Sequence, residues 1–359
     1  MSLSQWGWNP YFEAMWREGN RESDSAVPAR VISQQRKFWR VAGEFGDCLA
    51  EASGKLRLAA DDGAAWPAVG DWVSVEPQEG NATAMIRAVL PRRSRFIRKS
   101  PGKRIEEQVI AANVDTALMV SALDDDFNPR RVERYLAQCW ESGARPVLIL
   151  NKSDACPDSR GKLAEIERTA MGALVCAISA KTGEGMDKIE PFLIAGQTLV
   201  LLGSSGVGKS TLANRLLGQS LQKVSDVRAS DSRGRHTTTV RELFALPGGA
   251  LLIDTPGLRE LQLWDAEDGV TEAFTDIDLL AAQCRFGDCG HQSEPGCAVQ
   301  AAVSAGTLDL ARLENHRKLV REQAFVRRKI DPAARSEEKR RIRQLTNEGR
   351  EIYRQKKTD

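Results

Sequence analysis

The period of the hydrophobic pattern changes along the chain. From Ala29 to Leu90 apolar and polar residues alternate in short runs. This alternation predicts strands at Ala29–Ser33, Lys37–Ala42, Cys48–Ala52, Lys55–Leu58, Asp71–Glu76 and Thr83–Val89. Gly43, Gly46, Gly54, Gly63, Gly70 and Gly80 fall in the connections. About five short strands in such a stretch suit a small closed β-barrel of the OB-fold kind. Residues 1–28 mix aromatics with charges and show no period, which predicts a weakly ordered extension with one helix over Pro10–Arg17. Pro91–Arg104 holds seven basic residues and two prolines and reads as a basic linker leaving the barrel.

Beyond Val109 the pattern becomes one of apolar runs alternating with amphipathic stretches. Ala117–Ala122 and Pro146–Leu150 are apolar enough to be buried strands. Between them Val132, Tyr135, Leu136, Cys139 and Trp140 repeat at i, i+3, i+4, i+7 and i+8, a helix over Pro129–Gly143. A helix near Ser159–Met171 follows, then strands at Ala173–Ile178 and Thr198–Leu202. A helix from Lys209 and strands near Val240–Leu246 and Ala250–Ile253 complete the series. Strands alternating with helices predict a parallel sheet covered on both faces. After Leu261 no strand is legible. Helices are expected around Leu308–Lys329 and Ser336–Lys357.

Charge alters this picture at one end only. The 359 residues carry a net charge of +2. From Ala311 to Asp359, however, 16 basic residues face 8 acidic ones, including Arg327-Arg328-Lys329 and Lys339-Arg340-Arg341. Such a tail suits a polyanion bound through its phosphates. No apolar run reaches the length of a membrane span, and the start lacks the basic-then-apolar order of a secretory signal. Four of the seven cysteines (Cys48, Cys139, Cys156, Cys176) are scattered, which fits a reducing cytoplasm rather than a disulfide scaffold.

Several short motifs carry chemistry. Gly203-Ser204-Ser205-Gly206-Val207-Gly208-Lys209-Ser210, continued by Thr211, matches G-x-x-x-x-G-K-[ST] between a strand and a helix. Backbone N–H groups of such a loop face phosphate oxygens, its lysine reaches the β- and γ-phosphates, and its serine ligates magnesium. Asn151-Lys152-Ser153-Asp154 ends another strand. A carboxylate there accepts from the ring N–H and exocyclic amine of guanine, a donor pair adenine lacks. Ser179-Ala180-Lys181 ends a third strand and offers N–H groups to the guanine oxygen. Asp254-Thr255-Pro256-Gly257 ends a fourth, with Asp254 placed to hold magnesium through water and the Gly257 N–H to sense the γ-phosphate. In Arg235-His236-Thr237-Thr238-Thr239 one threonine, Thr238 in preference to Thr237, would bind magnesium and γ-phosphate. Leu258 stands where many GTPases carry a water-orienting glutamine, so His236 is the nearest group able to orient water or act as a base. Cys284, Cys289, His291 and Cys297, spaced C-x4-C-x-H-x5-C, suit a closed tetrahedral zinc site.

The five nucleotide elements resemble a TRAFAC-class GTPase domain, but NKxD and SAK precede the P-loop, so the order is circularly permuted. Adding the barrel, the VGDWVSVE strand, GRHTTT and the zinc spacing, residues 29–330 resemble the ribosome small-subunit-dependent GTPase A (RsgA) family. The resemblance implies an N-terminal extension (1–28), an OB-fold barrel with its linker (29–104), a permuted α/β GTPase domain (105–262) and a zinc-binding helical module with a basic tail (263–359). It further implies GTP/GDP with Mg2+ and one structural Zn2+, the 30S subunit and its 16S rRNA as partner, GTP hydrolysis accelerated by that subunit, and a part in its late maturation. It assigns His236 a role in hydrolysis. A monomer in the cytoplasm is expected. Two other readings remain open on the residues: a permuted GTPase acting on the large subunit or another RNA, and an RNA-binding module whose nucleotide does not turn over.

Overall fold

The computed structural model describes residues 2–19, 25–35, 38–59, 63–77, 83–99, 107–124, 127–170, 172–218, 241–254 and 267–331, with Ser336 and Arg340. The chain forms two units. One comprises Met1–Ser100, Glu106–Gln262 and Asp268–Thr275; the other is mainly Asp276–Asp359.

In the first unit, β1 (Val27–Gln35), β2 (Phe38–Gly43), β3 (Gly46–Ala52), β4 (Trp72–Glu76) and β5 (Thr83–Val89) form a barrel. They run in the order β1-β2-β3-β5-β4, and β4 closes on β1 through Val27↔Val75 to Arg30↔Trp72. Only the β3–β5 pairing is parallel. The alternation places Val31, Trp39, Val41, Ala50, Val73, Val75 and Ile86 inside. The stretch expected as a strand at Lys55–Leu58 is instead a helix, α2 (Gly54–Ala59). Ser53 decides this: its carbonyl accepts from Arg57 N at 2.9 Å and its Oγ from Leu56 N at 3.2 Å. Four alternating residues cannot outweigh such a start.

Two further expectations are corrected. The described residues before the barrel are not loose. The expected helix is present as α1 (Pro10–Gly19), and Trp6 and Phe12 are buried. Trp8 stands edge-on to Trp72 with ring centroids 4.6 Å apart. Aromatics without a period therefore found partners outside their own segment. The basic linker is in part a strand, β6 (Arg95–Lys99), paired antiparallel with β7 (Glu107–Ala112). Phe96 is its buried anchor, and Arg98 Nε donates to Gln108 Oε1 at 2.9 Å.

The α/β part contains β8 (Thr116–Ala122), β9 (Arg145–Asn151), β10 (Leu174–Ala177), β11 (Thr198–Leu202), β12 (Arg241–Ala245) and β13 (Leu251–Asp254). Their order is β10-β9-β8-β11-β13-β12. Five are parallel; β12 is antiparallel to β13. The wholly parallel expectation fails there because Leu246–Ala250 is long enough for a hairpin turn and too short for a crossover. Helices α3 (Pro129–Ser142), α4 (Ser159–Thr169) and α5 (Lys209–Leu217) lie between strands in sequence. Asn128 caps α3 by accepting from Arg131 N at 3.1 Å, and Gly143 ends it at φ 80°.

The sheet does not stop at β12. Its other edge pairs with β1 at Ser33↔Glu242 and Gln34↔Arg241, so barrel and α/β sheet are hydrogen-bonded together. Beside this seam Arg30, 1% exposed, stacks on Trp72 and donates to Trp6 O, Asn113 O and Thr198 Oγ1 at 3.3, 3.3 and 3.0 Å. Desolvation brings its guanidinium down to about 10.

The second unit is helical. Ala298–Ser304 and Leu310–Ile330 are helices, with Val299, Leu313 and Leu319 fully buried. Arg312 grips Asp276 with two hydrogen bonds, at 2.9 and 2.6 Å. Among the described residues no helix is long and apolar enough to cross a membrane.

At the barrel, Asp71 is fully buried and takes two hydrogen bonds from Arg92, at 2.8 and 2.7 Å, and one from Ala68 N at 2.8 Å. Asp71→Ala leaves Arg92 largely buried without its counter-ion, so a loss of about 3–5 kcal/mol is expected in urea unfolding. A midpoint equal to that of the parent would show the pair to be dispensable.

Candidate functional site

Parallel strands bring their carboxyl ends to one edge of a sheet, which is where α/β proteins bind ligands. Here β8, β9, β10, β11 and β13 end at Ala122, Asn151, Ala177, Leu202 and Asp254. The glycine-rich loop, the Asn-Lys-Ser-Asp turn, the Ser-Ala-Lys turn and Asp254 therefore share an edge, although they are spread over about a hundred residues of chain. The strand before the loop, β11, lies between β8 and β13. The later half of the domain thus inserts its first strand beside the earlier half, and the permuted order closes one sheet.

Two glycines in the loop are required by contact as well as by conformation. A Cβ on Gly203 (φ 140°) would lie 2.2 Å from Val120 O, and one on Gly208 (φ 96°) 2.2 Å from Asn151 Nδ2. Lys209 begins α5 and folds back over the loop. Its Nζ donates to Gly203 O at 2.6 Å and to Ser204 O. Ser205, Ser210 and Thr211 are exposed, Ser204 is half-buried, and Val207 is buried in the core below.

Asn151 is 3% exposed and connects three of the motifs. Its Nδ2 donates to Val207 O at 2.8 Å, and its Oδ1 accepts from Ala180 N at 2.9 Å. Lys152 adopts a left-handed conformation (φ 65°) and its Nζ meets Asp124 Oδ2 at 2.6 Å. The turn it starts leaves Asp154 exposed, while Ser153 N donates to Ile178 O at 3.0 Å. Ser179 is fully buried and its Oγ accepts from Thr182 N at 3.0 Å. From α5, Arg215 reaches back to Ala180 O and Lys181 O, at 2.7 and 2.8 Å. From α3, Arg131 Nη1 donates to Ser204 Oγ at 3.1 Å. No local pattern marked Asp124, Arg131 or Arg215. They are ordinary polar residues that only the packing of strands and helices brings to the site.

His236, Thr237, Thr238, Gly257 and Leu258 lie outside the described residues, as does nearly all of the tail beyond Asp331. Asp254 is the last residue of β13, paired with Glu242.

In the second unit Cys284, Cys289, His291 and Cys297 converge, their ligand atoms all within 4.8 Å of one another. Cys284 Sγ lies 3.8 Å from Cys297 Sγ; His291 Nδ1 lies 3.5 and 3.6 Å from these two sulfurs. His291 (φ 58°) and Gly296 (φ 77°) turn the loop in left-handed conformations. Glu294 braces it by accepting from Gly290, Gln292 and Ser293 N–H groups at 2.9, 2.8 and 3.0 Å. Backbone donors, its own N–H first, then those of Gln292 and Gly290, hold its carboxyl at about 2. Burial pushes the Cys284 thiol up, but N–H groups of Val299 and Ala298 at a helix start, with the neighbouring thiols, outweigh this and lower it. Cys289 is driven up to about 11, first by desolvation. The cluster can hold a metal ion.

The fold and its nucleotide edge define a P-loop GTPase of circularly permuted order. A sequence model described as RsgA GTPase matches residues 89–264. A protein of Opitutus terrae named small ribosomal subunit biogenesis GTPase RsgA is 49% identical, over 95% of each chain. One of the same name from Syntrophotalea carbinolica is 46% identical, over 98% of this chain and 97% of its own. Among solved structures, YjeQ from Thermotoga maritima superposes with a TM-score of 0.62 at 28% identity, over 83% of this chain and 98% of that one. YloQ, described as a circularly permuted GTPase, matches in fold at 0.59 and 23% identity, over 84% and 97%. The chain belongs to the RsgA GTPase family.

Removing the Asn151 amide orphans a buried N–H on Ala180 and a carbonyl on Val207. Asn151→Ala is expected to cost about 2–4 kcal/mol in denaturant unfolding. A loss below about 0.5 kcal/mol, within the range of an ordinary surface change, would mean that the three turns hold together without it.

Proposed function

We propose that this protein is a GTPase acting on the small (30S) ribosomal subunit, assisting its late maturation and hydrolysing GTP to GDP and phosphate under the subunit's control. The observation that carries this is the Asn151 amide, which joins the base-reading, Ser-Ala-Lys and phosphate-binding turns at one sheet edge. Near full-length similarity to proteins named for small-subunit biogenesis supports the partner.

In the proposed site, the loop from Gly203 to Thr211 cradles the phosphates. Lys209 leaves the carbonyls of Gly203 and Ser204 to reach the β- and γ-phosphates. Ser210, Thr238 and Asp254 hold Mg2+, and the Gly257 N–H reports the γ-phosphate. Asp154 reads guanine, braced by Asn151, Lys152 and Ser153, while Ser179, Ala180 and Lys181 face the guanine oxygen. Charge is stabilised in phosphoryl transfer mainly by positioned cations and N–H groups. With Leu258 unable to orient water, His236 does so.

The cysteine–histidine cluster is proposed to hold one structural Zn2+. A tetrahedral ion with thiolate bonds of about 2.3 Å and an imidazole bond of about 2.0–2.1 Å has S–S and S–N edges of roughly 3.8 and 3.5 Å. The edges among Cys284, His291 and Cys297, at 3.8, 3.5 and 3.6 Å, fit, and Cys289 lies within 4.8 Å of each. Four protein ligands leave no open position, so the ion stiffens the module rather than reacting. The barrel's order with a parallel β3–β5 pairing supports an OB-fold. With the helical module and the basic tail it would contact 16S rRNA. Segments 1–28, 29–104, 105–262 and 263–359 are the proposed functional modules of a cytoplasmic monomer.

GTP hydrolysis by the protein alone, with 30S and with 50S subunits tests the proposal. A large rise with 30S alone is expected, lost in His236→Ala. A rise with 50S instead, or none with either although GTP binds, would overturn the small-subunit role in favour of another RNA or a nucleotide that does not turn over. Asp154→Asn is expected to exchange guanine for xanthine preference, since an amide donates where xanthine presents a carbonyl. Undiminished GTP preference would remove Asp154 as the base reader. Elemental analysis should find one zinc per chain, and none in a variant lacking Cys284 and Cys297.

A further inference from the structure

Two cations converge on one residue of the phosphate loop. Ser204 gives its carbonyl to Lys209 Nζ and its hydroxyl to Arg131 Nη1, the latter at 3.1 Å. The two cations have different anchors. Lys209 belongs to the loop itself and folds back on it. Arg131 stands in the first turn of α3, whose start is fixed by Pro129 and by the Asn128 cap. Its neighbour Arg130 is committed elsewhere, to the fully buried Glu133 at 2.6 Å.

From this arrangement we infer that Arg131 is a positioning residue for nucleotide binding: it clamps the amino-terminal arm of the phosphate loop to α3 while Lys209 exchanges loop carbonyls for phosphate. The inference rests on the nucleotide site proposed above. When Lys209 swings onto a nucleotide, Ser204 loses its bond to Lys209. The hydroxyl bond to Arg131 is indifferent to that exchange, because it uses a different atom of Ser204 and a donor from another helix. A charge-assisted bond held before and after binding spares the loop part of its ordering entropy, which strengthens binding of diphosphate and triphosphate alike. Such a clamp acts on affinity rather than on the bond-breaking step, so KM and dissociation constants move and kcat does not.

The test is a double-mutant cycle in the full chain, with GDP and a non-hydrolysable GTP analogue as probes for binding and GTP for turnover. Arg131→Ala and Ser204→Ala should each weaken both ligands by about tenfold, the scale of one charge-assisted hydrogen bond. The double variant should be no weaker than either single one, and Arg131→Lys should recover part of the loss. A fall in kcat at unchanged affinity would overturn the inference, as would unaltered binding in Arg131→Ala or losses that multiply in the double variant. Should Arg131→Ala fail to fold, Arg131→Met, which keeps much of the side chain's bulk but cannot donate, takes its place in the cycle with the same expected and overturning results. Failure of the parent protein to bind GDP would instead reject the nucleotide site as a whole, before any variant is compared.

Discussion

The side-chain amide of Asn151 uses its oxygen on the Ala180 N–H and its nitrogen on the Val207 carbonyl, and the close approach of Gly208 leaves no room beside it. Both partners are buried, so neither can turn to water if the amide is withdrawn. One residue thus ties the end of β9 to the turn after β10 and to the loop after β11. In a permuted chain this matters more than usual. Chain connectivity no longer carries the glycine-rich loop towards the Asn-Lys-Ser-Asp turn; the sheet and this amide do so instead.

The same sheet reaches into the barrel through the pairing of β1 with β12. Arg30 adds a second seam, joining the amino-terminal turn, the approach to β8 and the first residue of β11. It is a buried cation whose hydrogen bonds to Trp6, Asn113 and Thr198 all go to uncharged oxygens, an arrangement that costs desolvation and yields directional bonds in return. Moving β1 relative to β11 would strand that charge. The barrel and the nucleotide edge therefore belong to one unit, with the aromatic amino-terminal segment packed against Trp72 as part of it.

The cysteine–histidine loop is organised by different means. It has little apolar burial of its own, and its path is set by backbone N–H groups turned onto Glu294 and by left-handed residues at His291 and Gly296. A loop built this way presents donor atoms with the spacing a small ion needs.

Much was legible from the chain alone, for reasons that differ between elements. Buried parallel strands announce themselves as apolar runs, so β8, β9, β11 and α3 were located to within a residue or two. The glycine-rich loop, the Asn-Lys-Ser-Asp turn and the cysteine–histidine spacing depend on local backbone geometry and on side chains a few residues apart, which a short motif encodes. Contacts between distant segments were not encoded in that way. Lys55–Leu58 reads as a strand until the Ser53 cap is seen, Arg95–Lys99 as a linker until β7 pairs with it, and Trp6, Trp8 and Phe12 as an unpatterned start until Trp72 faces them. The antiparallel β12, the Arg30 seam and the reach of Arg131 to Ser204 have the same origin. Sequence by itself determined where each turn lies and which residues it carries, because a turn needs particular residues at fixed offsets. Tertiary structure alone decided which polar side chains meet there, because hydrogen-bond partners brought together by a sheet carry no signature in their local neighbours.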